Sequence, residues 1–253
     1  MSKVLVIGDG PLAEEMAALA SDSGHAVAAY QVGSEGSLPG PLTRFLSKHE
    51  PAADLVLEAV IADRTHKRLA LQGVCTSPGA PSLILSAILN ASTSEVDSWL
   101  HHTRQVVGWA ALPPLHEARV FELAPGLRST PESVEAARTF MASLGKEPVS
   151  IQDAVGGVLP RIVANLVNEA AYALMEGIAT PQDIDQAMKL GTNYPRGPLA
   201  WGDLIGLDQV MGILEALGQT NGADRYRAAP LLRQLVMARR WGRRTGQGIY
   251  SYQ

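Results

Sequence analysis

Near the start of the chain, Gly8-Asp9-Gly10-Pro11-Leu12-Ala13 follows the apolar run KVLVIG and opens a helical pattern. The spacing is G-x-G-x-x-A. The two glycines let a backbone turn tightly and lie against a pyrophosphate, while the N–H groups of the helix start point at its charge. Such a loop binds a dinucleotide or is a plain tight turn. Two residues alter its chemistry: Asp9 brings a negative charge toward the expected phosphates, and Pro11 has no N–H to donate. An acidic residue about 20 positions on usually holds the adenosine ribose. Here the second strand ends in Tyr30-Gln31, so Gln31 offers a neutral hydrogen bond, and no arginine stands beside it to favour a 2′-phosphate.

The elements around this loop alternate. KVLVIG (3–8) reads as a strand and PLAEEMAALASDSG (11–24) as a helix, with Leu12, Met16, Leu19 and Ala20 at helical spacing. HAVAAYQV, DLVLEAVI (54–61) and SLILSAIL (82–89) read as further strands, and RQVVGWAAL and ARVFELAP as two more candidates. TPESVEAARTFMASLG (130–145) is a helix with Thr130 as N-cap and Gly145 as stop. This alternation predicts an α/β fold, a doubly wound, Rossmann-type parallel sheet with helices on both faces. From Pro160 onward every segment has helical periodicity: PRIVANLVNEAAYALMEG, TPQDIDQAMKLG, LIGLDQVMGILEALG and APLLRQLVMARRWG, with Thr180 as a cap and Gly177, Gly191, Gly218 and Gly242 as stops. Two domains are expected, a dinucleotide-binding one over 1–150 and an all-α one over 151–253, with SEGSLPGP (34–41) as a turn-rich loop.

Composition narrows the partners. Of 253 residues 46% are apolar and 18% charged, with 21 Lys plus Arg against 25 Asp plus Glu, so no basic field is built for nucleic acid or an anionic membrane. No run of 18 apolar residues and no leader-like start is present. Cys75 is the only cysteine, which excludes an internal disulfide and any multi-cysteine metal site and suits a reducing compartment; its plainest role is a small buried apolar residue. The expectation is a cytoplasmic protein with a small-molecule partner and no metal.

The two halves together resemble the 3-hydroxyacyl-CoA dehydrogenase family over nearly the whole chain. The words that carry the resemblance are NEAAYALMEGIATPQDIDQAMKLGTNYPRGPLAWGDLIGLD (168–208) and RWGRRTGQGIYSY (240–252), and, more loosely, VLVIGDGPLAEEMA, ADLVLEAVIADRTHK (53–67) and FELAPGLRSTPESVEAARTFMASLGKEPV. The resemblance implies NAD as cofactor, an acyl-CoA substrate, a place in fatty acid metabolism and a homodimer formed by the helical domain. It also implies cofactor contacts at Gly8, Gly10, Leu12, Gln31, Ala59 and Lys67, with Ala62 where the family has an acidic residue. In such enzymes a His-Glu pair removes the hydroxyl proton, helped by a serine and an asparagine. Glu122 matches the glutamate. Counting back twelve residues puts Ala110 at the histidine, Pro160 takes the asparagine's place, and Asn90 or Ala91 the serine's. The stretch between Gln31 and Asp54 is also shorter than the family's CoA-gripping insert.

Alanine and proline take up no proton, and a general base is worth about 10² to 10⁴-fold in rate. His116, six residues past Ala110, is the substitute base to weigh against a plain surface histidine. Glu122 is either functional or a carboxylate that caps N–H groups, and Tyr194, Trp201 and Trp241 are core or interface aromatics before they are a ligand box. Two readings stand: an NAD-dependent dehydrogenase acting on a 3-hydroxyacyl-CoA or related 3-hydroxy compound, and a non-catalytic member, a pseudoenzyme that serves as a ligand-binding or scaffold dimer.

Overall fold

In the computed structural model the described residues are 1–32, 53–76 and 80–252. The loop 34–41 and most of the stretch between Gln31 and Asp54 lie outside them. Seven strands form one sheet: β1 (Lys3–Gly8), β2 (Ala26–Gln31), β3 (Leu55–Ala59), β4 (Leu83–Ala87), β5 (Gln105–Ala110), β6 (Val120–Pro125) and β7 (Glu147–Ser150), in the order β2-β1-β3-β4-β5-β6-β7. All neighbours run parallel except β5 and β6. That pair corrects the expectation of a wholly parallel sheet, because the link between them is too short for a crossover helix.

The inner strands β1, β3, β4, β5 and β6 are buried on both faces, as a sheet covered on both sides requires, while the edge strands β2 and β7 are largely open to solvent. Leu5, Ile7, Val56 and Ile84 face one core with Leu71 and Val74 of α2 (Arg64–Cys75) and Val96 of α3 (Thr93–Trp99). Val4, Val6, Leu57, Leu85 and Val107 face the other, with Leu12 and Met16 of α1 (Pro11–Asp22) and Phe140 and Met141 of α4 (Pro131–Ser143). This second core runs on without a break into the helical half through Val163, Val167, Ile213 and Leu217.

The helical half contains α5 (Leu159–Met175), α6 (Pro181–Thr192), α7 (Pro198–Ile205), α8 (Leu207–Asn221) and α9 (Pro230–Met237). Thr130 and Thr180 cap α4 and α6 as expected, each accepting a backbone N–H with its hydroxyl. One helix break and three helix ends differ from the sequence reading. LIGLDQVMGILEALG is two helices, broken at Gly206 with φ 104°. Gly218 lies inside α8, which stops at Gly222 instead, and Gly191 lies inside α6, which ends at Asn193 in the left-handed region. α9 stops at Met237, short of Gly242.

Two aspartates hold this half together. Asp185 accepts the N–H groups of Leu199 and Ala200 at the start of α7 and the hydroxyl of Tyr250. Asp203 accepts the N–H groups of Ile249 and Tyr250 and the hydroxyl of Tyr252. Burial raises the Asp203 pKa against the pull of those donors, and it is also the first cause raising those of both tyrosines. The words GPLAWGDLIGLD and GQGIYSY are therefore the two sides of one buried polar joint.

Candidate functional site

The β5–β6 register sets Ala110 directly opposite Glu122. Both lie at the end of the sheet where the chain enters the helical half. The Glu122 carboxylate accepts Val158 N–H and Leu159 N–H, one on each oxygen and each at 2.7 Å, so it caps the start of α5. An anion there is favoured by the helix dipole as well as by the two donors. Gly157 (φ 55°) makes the approach possible: a Cβ on it would run into the Glu122 carboxylate and stand 3.2 Å from the Ala110 methyl. Pro160 occupies the first turn of α5, where its missing N–H costs nothing. Ala110, Glu122 and Pro160 thus converge, and of the three only the carboxylate is able to exchange a proton.

Asn90 does different work. Its amide donates to the carbonyls of Val60 and Ile61, tying the end of β4 to the end of β3, while its Oδ1 is buried without a protein partner. Ala91 is buried in the core under α3. His116 is a surface histidine, 3.5 Å from Glu117, which itself pairs with Arg196. Trp201 donates its indole N–H to the carbonyl of Pro113 and Trp241 to that of Val236, so both serve packing, and Tyr194 is partly exposed. Among the described residues no group of three or more His, Cys, Asp or Glu is placed to hold a metal.

At the same, C-terminal edge of the parallel strands, Gly8 ends β1 and pairs with Gln31 on one side and Ala59 on the other. Gly10 is the N-cap of α1 with extended backbone, Pro11 its first residue, and the Leu12 side chain is buried beneath. Gln31 donates to Glu14 at 3.3 Å. Lys67 is fully buried; its ammonium sits 2.8 Å from Glu58 and donates to the Ala87 carbonyl at 2.5 Å, and Glu58 also accepts Ser86 Oγ and Val60 N–H. Lys67 therefore braces β3 against β4, and its charge is neutralised within the protein.

Asp9 departs from what its position suggests. Its carboxylate turns away from the helix start and accepts Ile61 N–H and Ala62 N–H, both at 2.9 Å, so it does not stand beside the expected phosphates. Desolvation is the main cause holding its pKa above the usual aspartate range. Gln209 of α8 also donates to it, at 3.2 Å, and Arg244 donates to its carbonyl at 2.8 Å. A Cβ on Gly10 would stand 2.9 Å from the Gln209 amide. In this arrangement the Gln209 amide occupies the space beside Gly10 in which a pyrophosphate would lie against the loop. Sequence reading missed Gln209 and Arg244. The one signal was Asp9 itself, a charge inside a glycine loop that must find donors somewhere.

The C-terminal domain profile of 3-hydroxyacyl-CoA dehydrogenases matches residues 156–252, and the NAD-binding domain profile of the same enzymes matches 41–154. The chain belongs to the 3-hydroxyacyl-CoA dehydrogenase family. It is 30% identical, over its full length and 98% of the relative's, to a probable 3-hydroxybutyryl-CoA dehydrogenase of Bacillus subtilis. It is 32% identical over 79% of its length, and 71% of the relative's, to the 3-hydroxybutyryl-CoA dehydrogenase of Clostridioides difficile. The crystal structure of the (S)-3-hydroxybutyryl-CoA dehydrogenase of Ralstonia eutropha superposes with a TM-score of 0.72 at 27% identity, covering 100% of this chain and 99% of that one. NAD is the cofactor of the family's N-terminal domain, and this chain carries that domain. The profile match begins at residue 41, so the glycine loop lies outside it.

Proposed function

We propose that the chain is an oxidoreductase of this family that exchanges hydride between NAD and a 3-hydroxyacyl-CoA or a related 3-hydroxy compound, with an altered acid-base site. The observation that carries the reading is full-length likeness: both halves match the same enzymes, in order, with the helical half docked on the sheet end that bears Ala110 and Glu122. The proposed division places the dinucleotide domain at 1–150 and the helical, dimer-forming domain at 151–253. Gly8, Gly10, Leu12, Gln31 and Ala59 are the proposed cofactor contacts, Lys67 acts by bracing Glu58, and Glu122 is the remaining family catalytic residue. The lone Cys75 suits a cytoplasmic protein. Among the described residues no helix is long and apolar enough to cross a membrane.

One observation favours the second reading, a non-catalytic binding or scaffold dimer. Glu122 has an alanine opposite it and caps α5 with both oxygens, so its present partners are structural. Calorimetric titration with NADH and acetoacetyl-CoA, followed by an assay of NADH oxidation, separates the two. The enzyme reading expects binding of both and slow turnover; binding without turnover supports the second, and binding of neither sinks the first.

A further inference from the structure

The helical half reaches over the glycine loop with two separate segments. α8 starts immediately after Gly206, and its first turn carries Asp208 and Gln209 toward β1 and α1. Gln209 donates to Asp9 Oδ1, and its amide fills the space beside Gly10. Arg244, from the C-terminal tail, donates Nη1 to the Asp9 carbonyl at 2.8 Å while its Nη2 pairs with Asp208 at 2.6 Å. One turn along α8, Gly212 lies so close to Ile61 and Ala62 that a Cβ there would stand 2.5 Å from the Ile61 carbonyl. A G-x-G loop needs open space at its second glycine so that a pyrophosphate can approach the backbone. Here that space is taken by the chain itself.

We propose that Gln209 and Arg244 form a latch that closes the glycine loop against the helical domain, so that a dinucleotide binds only after the latch opens. This rests on the NAD reading above and adds its control. The contact is built to be weak. Gln209 Oε1, Asp208 Oδ1 and Arg244 Nε are buried and have no hydrogen-bond partner in the protein, and the Asp9 carboxylate is held against its own desolvation. Unpaired buried polar atoms disfavour the state that contains them. Closure therefore carries a cost that opening relieves. A latch closed nine parts in ten lowers apparent affinity about tenfold, since affinity scales with the competent fraction.

The test uses the full-length protein and two substitutions on separate segments, Gln209→Ala and Arg244→Gln, so that either carries it should the other fail to fold. NADH is titrated by its fluorescence, and hydrogen exchange is followed at the Ile61 and Ala62 amides that Asp9 holds. The expected result is faster exchange at both amides and NADH affinity raised by up to about tenfold over wild type. Faster exchange with unchanged NADH affinity overturns the latch and leaves the NAD reading standing, as does exchange that does not change. Faster exchange with no NADH bound by wild type or variants overturns the NAD reading and the latch with it.

Discussion

Glu122 and Ala110 face each other across one rung of the β5–β6 ladder, and the chemistry of that rung decides what the site is able to do. If the carboxylate's work is to hold the start of α5, replacing it should be felt in stability before it is felt anywhere else. Glu122→Gln keeps one acceptor but turns an NH₂ group toward a backbone N–H, and the expected loss is about 1–3 kcal/mol in urea unfolding, the cost of a buried donor left without its partner. A change within about 0.5 kcal/mol, usual for a surface site, would show that the cap is unimportant. Restoring the imidazole alone meets a packing obstacle: Ala110 is 1% exposed, with Gly157 against its methyl. Ala110→His is expected to cost about 1–3 kcal/mol through overpacking, and to give no NADH oxidation with acetoacetyl-CoA above background. Adding Asn90→Ser would further free the Val60 and Ile61 carbonyls from the amide that ties them. The positions at this rung were legible in sequence because the family's spacing could be counted from Glu122. The partners of Glu122 were not, because the donating amides lie 36 and 37 residues further on and reach it only through the turn at Gly157.

The strands and capped helices are the part of the fold that a local pattern specifies. Short apolar runs marked β1, which glycine bounds, and β3 and β4, and Thr130 and Thr180 marked helix starts because a hydroxyl cap acts over three residues. The break between α7 and α8 was hidden, since Leu, Ile and Val keep helical spacing on both sides of Gly206 while the reversal depends on its φ of 104° and on contact with the tail: the Leu207 N–H donates to the Trp241 carbonyl. Gly206→Ala should therefore destabilise by about 1–3 kcal/mol, the usual cost of forcing a side chain into such a region. Gly191 is the contrast. It sits in the last turn of α6 with no atom within 4 Å of a built Cβ, and Gly191→Ala should stabilise by about 0.4–1 kcal/mol by restricting the unfolded chain. Thermal unfolding of the pair should move in opposite directions; movement in the same direction would show that the reversal at Gly206 is not what holds the two helices apart.

At the scale of the molecule, one apolar core spans both halves, while the helical half still leaves large side chains outside it. Ile162 of α5, Ile178 in the turn after it, Leu190 of α6 and Met237 of α9 are 52%, 69%, 77% and 76% exposed. Isolated exposed apolar residues are ordinary on a monomer. Three on the helices of one half and one in the turn between two of them, with the glycine-loop side of that half already docked on the sheet, make its outer surface the face on which we propose that a second copy docks. A two-fold pairing uses the same surface on both partners, so each substitution there acts twice. The chain is expected to be a dimer by light scattering at micromolar concentration. Ile178→Asp together with Leu190→Asp should shift it to monomer with its circular dichroism unchanged, because neither side chain is buried within a single chain. Wild-type protein that scatters as a monomer would remove the dimer reading. A dimer that survives both substitutions would move the interface away from the two ends of α6, leaving Ile162 and Met237 as the next positions to charge.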